Sequence, residues 1–264
     1  MSSTFDRVSS QYAEKSLVQN KASKKLIDML NIVNNESILD VACGPGNITA
    51  ALKRMTKGRV AGVDISAGMI AKAREAIPSV EFNISAAEDI AFEEEFDVVF
   101  CNSALQWFTD AERVMRAVNR ALKPGGRIGV ACPGTAEWTP AFNKAVAVVS
   151  EMPGIKPIFK RWKNPWFILP KQSDYKTLFE KCGFKTNHIS VDYEATEFSV
   201  EEAYGVYLSG AANGFTAKQY YEGKIEDAYV KLFNEKVKEE FEKASTNGKF
   251  TLDFNRLYYI GERR

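Results

Sequence analysis

The sequence predicts an α/β fold: a doubly wound, mostly parallel seven-stranded sheet with an antiparallel last strand and a helical cap over the carboxyl ends of the strands. Three observations predict it. Short apolar strands alternate with helices of crossover length through residue 132, the pattern of a parallel sheet covered on both faces. A mostly helical excursion then occupies 199–244, and a strand-like run, KFTLDFNRLYYIGER at 249–263, follows it. A strand that begins after so long an excursion fits an antiparallel return to the sheet.

The elements follow in order. LVQNKASKKLIDML at 17–30 reads as an amphipathic helix, and SILDVACG at 37–44 as an apolar strand ending near Val41. A helix at 47–56 leads to the strand RVAGVDI at 59–65. Ser66 caps the helix SAGMIAKAREAI, Pro78 stops it, and VEFNISA at 80–86 is the third strand. FDVVFCN at 96–102 is the fourth strand, followed by a helix at 110–122 with Val114, Met115, Val118 and Leu122 on one side. Pro124-Gly125-Gly126 is a turn signal, and GRIGVAC at 126–132 is the fifth strand. Beyond it come helices near 140–152 and 172–182, a strand around 184–193, and helices over 199–244 broken near Gly214. The implied organisation is an amino-terminal lid and first helix at 1–34 and a core at 35–135. A cap segment at 136–170, core continuation at 171–195, a helical cap insertion at 196–246 and a last core strand at 247–264 complete it.

Composition narrows the class. Lys and Arg total 35 against 34 Asp and Glu, so a nucleic-acid partner, which needs a local basic excess, is not expected. No apolar run approaches a membrane span, and the polar opening stretch lacks a signal-like segment. Cys43, Cys101, Cys132 and Cys182 match no zinc or redox spacing, so buried thiols, no metal and a cytoplasmic compartment are expected. Oligomeric state is not legible.

The sharpest local signal is Leu39-Asp40-Val41-Ala42-Cys43-Gly44-Pro45-Gly46-Asn47, where two glycines after a strand allow close backbone approach to a ligand. Asp64 ends the next strand twenty positions after Gly44, where a carboxylate can accept both hydroxyl protons of a ribose. A dinucleotide fingerprint wants a third glycine at position 49, which is Thr49, and no Lys-Ser/Thr follows for a P-loop. Asp40, at the close of the first strand, suits a cationic or ammonium-bearing ligand.

These segments closely resemble the class I, Rossmann-like S-adenosylmethionine-dependent methyltransferases over residues 38–132. ILDVACGPGN is similar to that family's glycine-rich first motif, VAGVDISAGMIAKAR to its second-strand motif, and FDVVFCNSALQWF with LKPGGRIGV to its fourth- and fifth-strand motifs. The resemblance implies S-adenosyl-L-methionine as cofactor, with Asp40, Gly44 and Gly46 at its methionine part, Asp64 on the ribose, and Ala42 among the cofactor-binding residues. It places Ile65 and Met69 near the adenine, and Asn102 and Ser103 at the pocket end of strand four. The family usually carries Gly-Asp-Ala after strand three; here Ser85-Ala86-Ala87 leaves the adenine to backbone around Ala87 and to Glu88 or Asp89.

FDRVSSQYAEKSLVQNKASKKLI and NSALQWF further resemble the branch of trans-aconitate and malonyl-carrier-protein methyltransferases, which act on carboxylates. That resemblance puts Tyr12 and Gln19 over the cofactor from an amino-terminal lid, with Gln106 and Trp107 between cofactor and substrate. The implied reaction is O-methylation of the carboxylate of a small molecule, with a carrier-protein-bound acid as an alternative partner. An ionised carboxylate needs no base, which suits a chain whose single histidine, His188, reads as lying on the polar face of a strand. A free amine or thiol would suit it as well. Ser103-Ala104-Leu105 after Asn102 does not match the Asn-Pro-Pro-Tyr type motif of base or amide methylation.

Trp138, Trp162, Trp166, Phe167, Tyr204 and Tyr207 are candidate apolar walls, and Trp107 is either pocket or core. Arg256 shares a strand face with Tyr258 and either clamps a substrate carboxylate or sits solvated at the sheet edge. The positioning candidates are therefore Gln106, Trp107, Tyr12 and Arg256. The alternatives are N- or C-methylation of another metabolite, an NAD-dependent oxidoreductase, and a non-catalytic adenosyl-binding protein.

Overall fold

The computed structural model describes residues 17–264. Helix α1 (Leu17–Leu30) precedes β1 (Ile38–Val41), α2 (Asn47–Met55), β2 (Val60–Asp64), α3 (Ala67–Ala76) and β3 (Glu81–Ile84). Then come β4 (Phe96–Asn102), α4 (Ala111–Ala121) and β5 (Leu122–Pro133). The seven strands among the described residues lie in the order β3-β2-β1-β4-β5-β7-β6, where β6 is Phe184–Ser199 and β7 is Lys249–Arg263. β1 to β5 pair in parallel, and β7 runs antiparallel to both β5 and β6, as the sequence predicts.

Local chemistry explains the helix starts. The Ser66 hydroxyl accepts the Met69 amide at 3.1 Å and caps α3, and the Asp110 carboxylate accepts Arg113 N at 2.9 Å and caps α4. One sheet face is covered by α1, α2 and α3 through Leu26, Leu30, Leu52 and Ile70. The other is covered by α4 and by α7 (Gln172–Lys181) through Val114, Met115, Tyr175 and Phe179. All four cysteines are buried thiols, with Cys101 and Cys132 inside β4 and β5.

The remaining helices, α5 (Pro140–Ser150), α6 (Lys156–Phe159), α8 (Val200–Ser209), α9 (Ala211–Thr216) and α10 (Asp227–Ala244), form the cap. Its own aromatic core includes Phe142, Tyr207, Phe233, Phe241 and, from β7, Phe250 and Phe254. The cap is tied to the sheet because β6 and β7 stay paired to their far ends, Ser199 opposite Lys249. The sequence reading ends β6 at 193. The structure extends it to Ser199, because EATEFS pairs with β7 alone and leaves mostly exposed polar positions that give no apolar signal. β5 likewise starts early: Leu122 pairs with Phe96 before the register shifts to Arg127 and Val98, so Pro124-Gly125-Gly126 is a bulge within the strand.

The helical break falls at Gly210 and over 217–226, not at Gly214. Gly214 lies inside α9 because a Cβ there would come within 2.0 Å of the Trp166 ring, and Trp162 Nε1 donates to the Gly214 carbonyl at 2.8 Å. Gly214→Ala is therefore expected to cost about 2–3 kcal/mol through overpacking against a rigid ring. Urea unfolding of the variant against the parent checks it.

Candidate active site

A cavity of about 510 Å³ opens at the carboxyl ends of β1, β2 and β4 and runs beneath the cap. This is where an open α/β sheet binds ligands. At one end Asp64 leaves β2 beside the glycine turn, its Oδ2 accepting the Gly44 amide at 2.9 Å and its Oδ1 the Ser66 amide at 2.8 Å. These two bonds fix the acid in place beside the turn. Gly44 has φ +56, and a Cβ built on it meets nothing within 4 Å, so the turn presents bare backbone. Ile65, 60% exposed, and buried Met69 flank the same end.

Ala42 and Ser103, at the ends of β1 and β4, both hold positive φ, 58° and 56°. Non-glycine residues in this region carry strain that the surrounding structure must sustain, and here both line the cavity. Asn102 Oδ1, Gln106 Oε1 and Arg256 Nε are buried on its wall without a hydrogen-bond partner. Buried polar atoms are normally satisfied, so three unsatisfied ones on residues that line one cavity set this wall apart.

Of the predicted site residues, Ala42, Gly44, Asp64, Ile65, Met69, Ala87, Glu88, Asn102, Ser103, Gln106, Trp107 and Arg256 all line this cavity. Asp40 and Gly46 are not on its wall. Asp40 is 3% exposed and turns back toward α2, where the Thr49 hydroxyl donates to its Oδ2 at 2.6 Å. Thr49 thus occupies the third-glycine position by pairing with the acid. Gly46 is buried at the start of α2 with φ +87. Tyr12 lies outside the described residues; Gln19 is on α1, its side chain likewise outside the description. His188 is exposed and bonded to Ser190 Oγ at 3.1 Å, so it is a surface residue.

Arg256 is no solvated edge residue: it is 6% exposed and faces the cavity at the junction of sheet and cap. Its Nη1 reaches Ser103 Oγ at 3.4 Å and its guanidinium lies 5.5 Å from the Phe254 ring. Glu194 supports its charge from a distance but is engaged by the Tyr258 hydroxyl at 2.8 Å and by Lys25 at 4.0 Å. Among the described residues no carboxylate forms an ion pair with Arg256.

The candidate walls divide. Trp138 and Trp166 face the cavity, while Trp162 packs behind Trp166 at 6.0 Å and Tyr207 is core, its hydroxyl on Asn234. Tyr204 stacks on Tyr207, and Phe167 packs toward the sheet core. Phe142, Val206 and Phe254 were not anticipated. Phe254 was within reach, since strand alternation puts it on the face of Arg256. Among the described residues no cluster of His, Cys, Asp or Glu is arranged to hold a metal ion, and no helix is long and apolar enough to cross a membrane.

Residues 38–126 match the family model described as a methyltransferase domain. The chain carries a class I, Rossmann-like S-adenosylmethionine-dependent methyltransferase domain. This methyltransferase is 25% identical to the trans-aconitate 2-methyltransferase of Variovorax paradoxus over 92% of the chain and 93% of that protein. It is 33% identical to the protein of that name from Azoarcus, over 47% of the chain and 49% of that protein. The solved structure of the YcgJ protein from Bacillus subtilis shares the fold, with a TM-score of 0.63 at 16% identity, covering 93% of the chain and 99% of that protein. The methyltransferase is therefore an enzyme that uses S-adenosyl-L-methionine, and the oxidoreductase and non-catalytic readings fall away.

Asp40 carries a pH signature. Burial, partly opposed by the Thr49 bond and reinforced by Asp64, raises its pKa from 3.8 to about 7. The folded state then keeps a proton that the unfolded chain has released, so this group's contribution to stability falls as pH rises from about 4 to about 7. Asp40→Asn should gain stability over the parent by about 2 kcal/mol more at pH 8 than at pH 5. Paired urea unfolding curves at the two pH values check the sign, because titrations common to both proteins cancel.

Proposed function

We propose that this methyltransferase O-methylates the carboxylate of a small soluble acid. The observation that carries the proposal is Arg256, a buried guanidinium without an ion-pair partner in the cavity wall. An arginine in such a place favours a carboxylate that can accept two of its N–H groups. The relatives named for trans-aconitate, itself a carboxylic acid, support the same reading.

The residues fit the cofactor, as the open backbone at Gly44 and the position of Asp64 on the cavity wall beside that turn indicate. Asp64 would hold the ribose hydroxyls, Ile65 and Met69 the adenine face, and Ala87 with Glu88 the adenine edge left open by Ala86. Ala42, Gly44, Asn102 and Ser103 would take the amino-acid tail. When bound, S-adenosylmethionine supplies a sulfonium methyl whose C–S bond breaks as a carboxylate oxygen forms the new C–O bond, leaving a neutral thioether and an ester. No proton is released, so no base is required.

Arg256 would orient the acid, and Gln106, Trp107 and Tyr12 would close the reacting centre to water. The acid is free or carried on a protein, and the compartment is cytoplasmic, which four buried thiols support. The test is transfer of a labelled methyl from S-adenosylmethionine to panels of acids, amines and phenols. Label released by mild alkali from an acid product is the expected result; alkali-stable label on amines or phenols alone overturns the proposal.

A further inference from the structure

The part of the cavity beyond Ser103 carries more information than the presence of one arginine. Two basic side chains line the whole cavity among the described residues, Arg113 and Arg256. Arg113 is committed at the Asp64 end, paired with Asp89. Around Arg256 the remaining wall is Trp138, Phe142, Trp166, Val206, Ala211 and Phe254. The rings are continuous: Trp138 lies 5.5 Å from Trp166 and 6.3 Å from Phe142, and Phe142 lies 6.2 Å from Phe254, all edge to face. Of the nearby polar side chains, Ser209 donates to the Val206 carbonyl at 2.7 Å and Asn255 to the Glu137 carbonyl at 2.7 Å, while the unpartnered Asn102 Oδ1 and Gln106 Oε1 are acceptor atoms and offer a second carboxylate no proton.

We infer that the acceptor is a monocarboxylic acid with an apolar body, its one carboxylate on Arg256 and the rest of the molecule against the ring wall. This rests on the carboxylate reading above and narrows it. A second carboxylate on the same molecule would be buried among aromatic rings with no further cation among the described residues to meet it, and a buried unpaired charge is strongly disfavoured. An apolar chain would bury surface that the wall otherwise leaves to water. The enzyme thereby parts from relatives named for an acid with several carboxylates.

The experiment uses the full chain and matched acids with S-adenosylmethionine: octanoate against octanedioate, and 3-phenylpropanoate against propane-1,2,3-tricarboxylate. The expected result is a kcat/KM for each monoacid about 100-fold or more above its polyacid counterpart. Straight-chain acids from acetate to octanoate should rise about fourfold per methylene until the chamber is filled. Preference for octanedioate or the tricarboxylate overturns the monoacid inference while the carboxylate reading stands. A flat chain-length series overturns the apolar body alone. Methylation of amines or phenols with no acid taken overturns both.

Discussion

Asp64→Ala is expected to weaken binding of S-adenosylhomocysteine, the demethylated cofactor, by about 300-fold. Two hydroxyl bonds to a charged acceptor contribute about 3–4 kcal/mol together. The Asp64 oxygens also hold the Gly44 and Ser66 amides, so the alanine variant loosens the turn that faces the cofactor. Asp64→Asn retains one acceptor oxygen without the charge and should fall between. Isothermal titration gives the affinities, and circular dichroism shows whether the sheet persists in each variant. A loss smaller than fivefold for the alanine variant would mean that the ribose lies elsewhere.

Arg256→Gln separates acceptor from cofactor. Truncating one side of a buried charge pair costs about 2–5 kcal/mol, so kcat/KM for the preferred acid should drop about 1,000-fold. S-adenosylhomocysteine affinity should fall by about tenfold at most, because the residues assigned to ribose and adenine come from β2, α3 and the segment after β3, and of those assigned to the amino-acid tail Ser103 is the one bonded to Arg256. Arg256→Lys should recover little, since a point charge does not reproduce the planar fork. Without ligand the glutamine variant should be at least as stable as the parent, because a buried guanidinium with an unsatisfied Nε is itself a burden on the fold. Parallel loss of cofactor affinity and acid turnover would instead assign Arg256 to the cofactor.

The core was legible because its physics is local. ILDV, VAGVD and FDVVFCN are short apolar runs bounded by turns, and Asp64 is spaced from Gly44 by one crossover. Asp40 misled because sequence gives its position in the strand but not which way its side chain turns. Only the structure shows the Thr49 hydroxyl drawing it into the interior. The far end of β6 was silent because an edge ribbon with polar faces lacks the apolar alternation that betrays a half-buried strand. The cap aromatics were visible as a set, but whether a ring faces the cavity depends on contacts between helices far apart in sequence. Trp166, set against Gly214, is the instance.

The paired ends of β6 and β7 have an evolutionary consequence. Phe254 and Arg256 sit two positions apart on a single strand and both line the cavity, with Phe250 and Leu252 of the same strand in the cap core behind them, so a few codon changes along one short stretch reshape the acceptor chamber. Residues at the adenosyl end are encoded more than a hundred positions upstream and stay untouched. Such a division lets gene duplicates diversify toward new acids while inheriting an intact methyl-donor site.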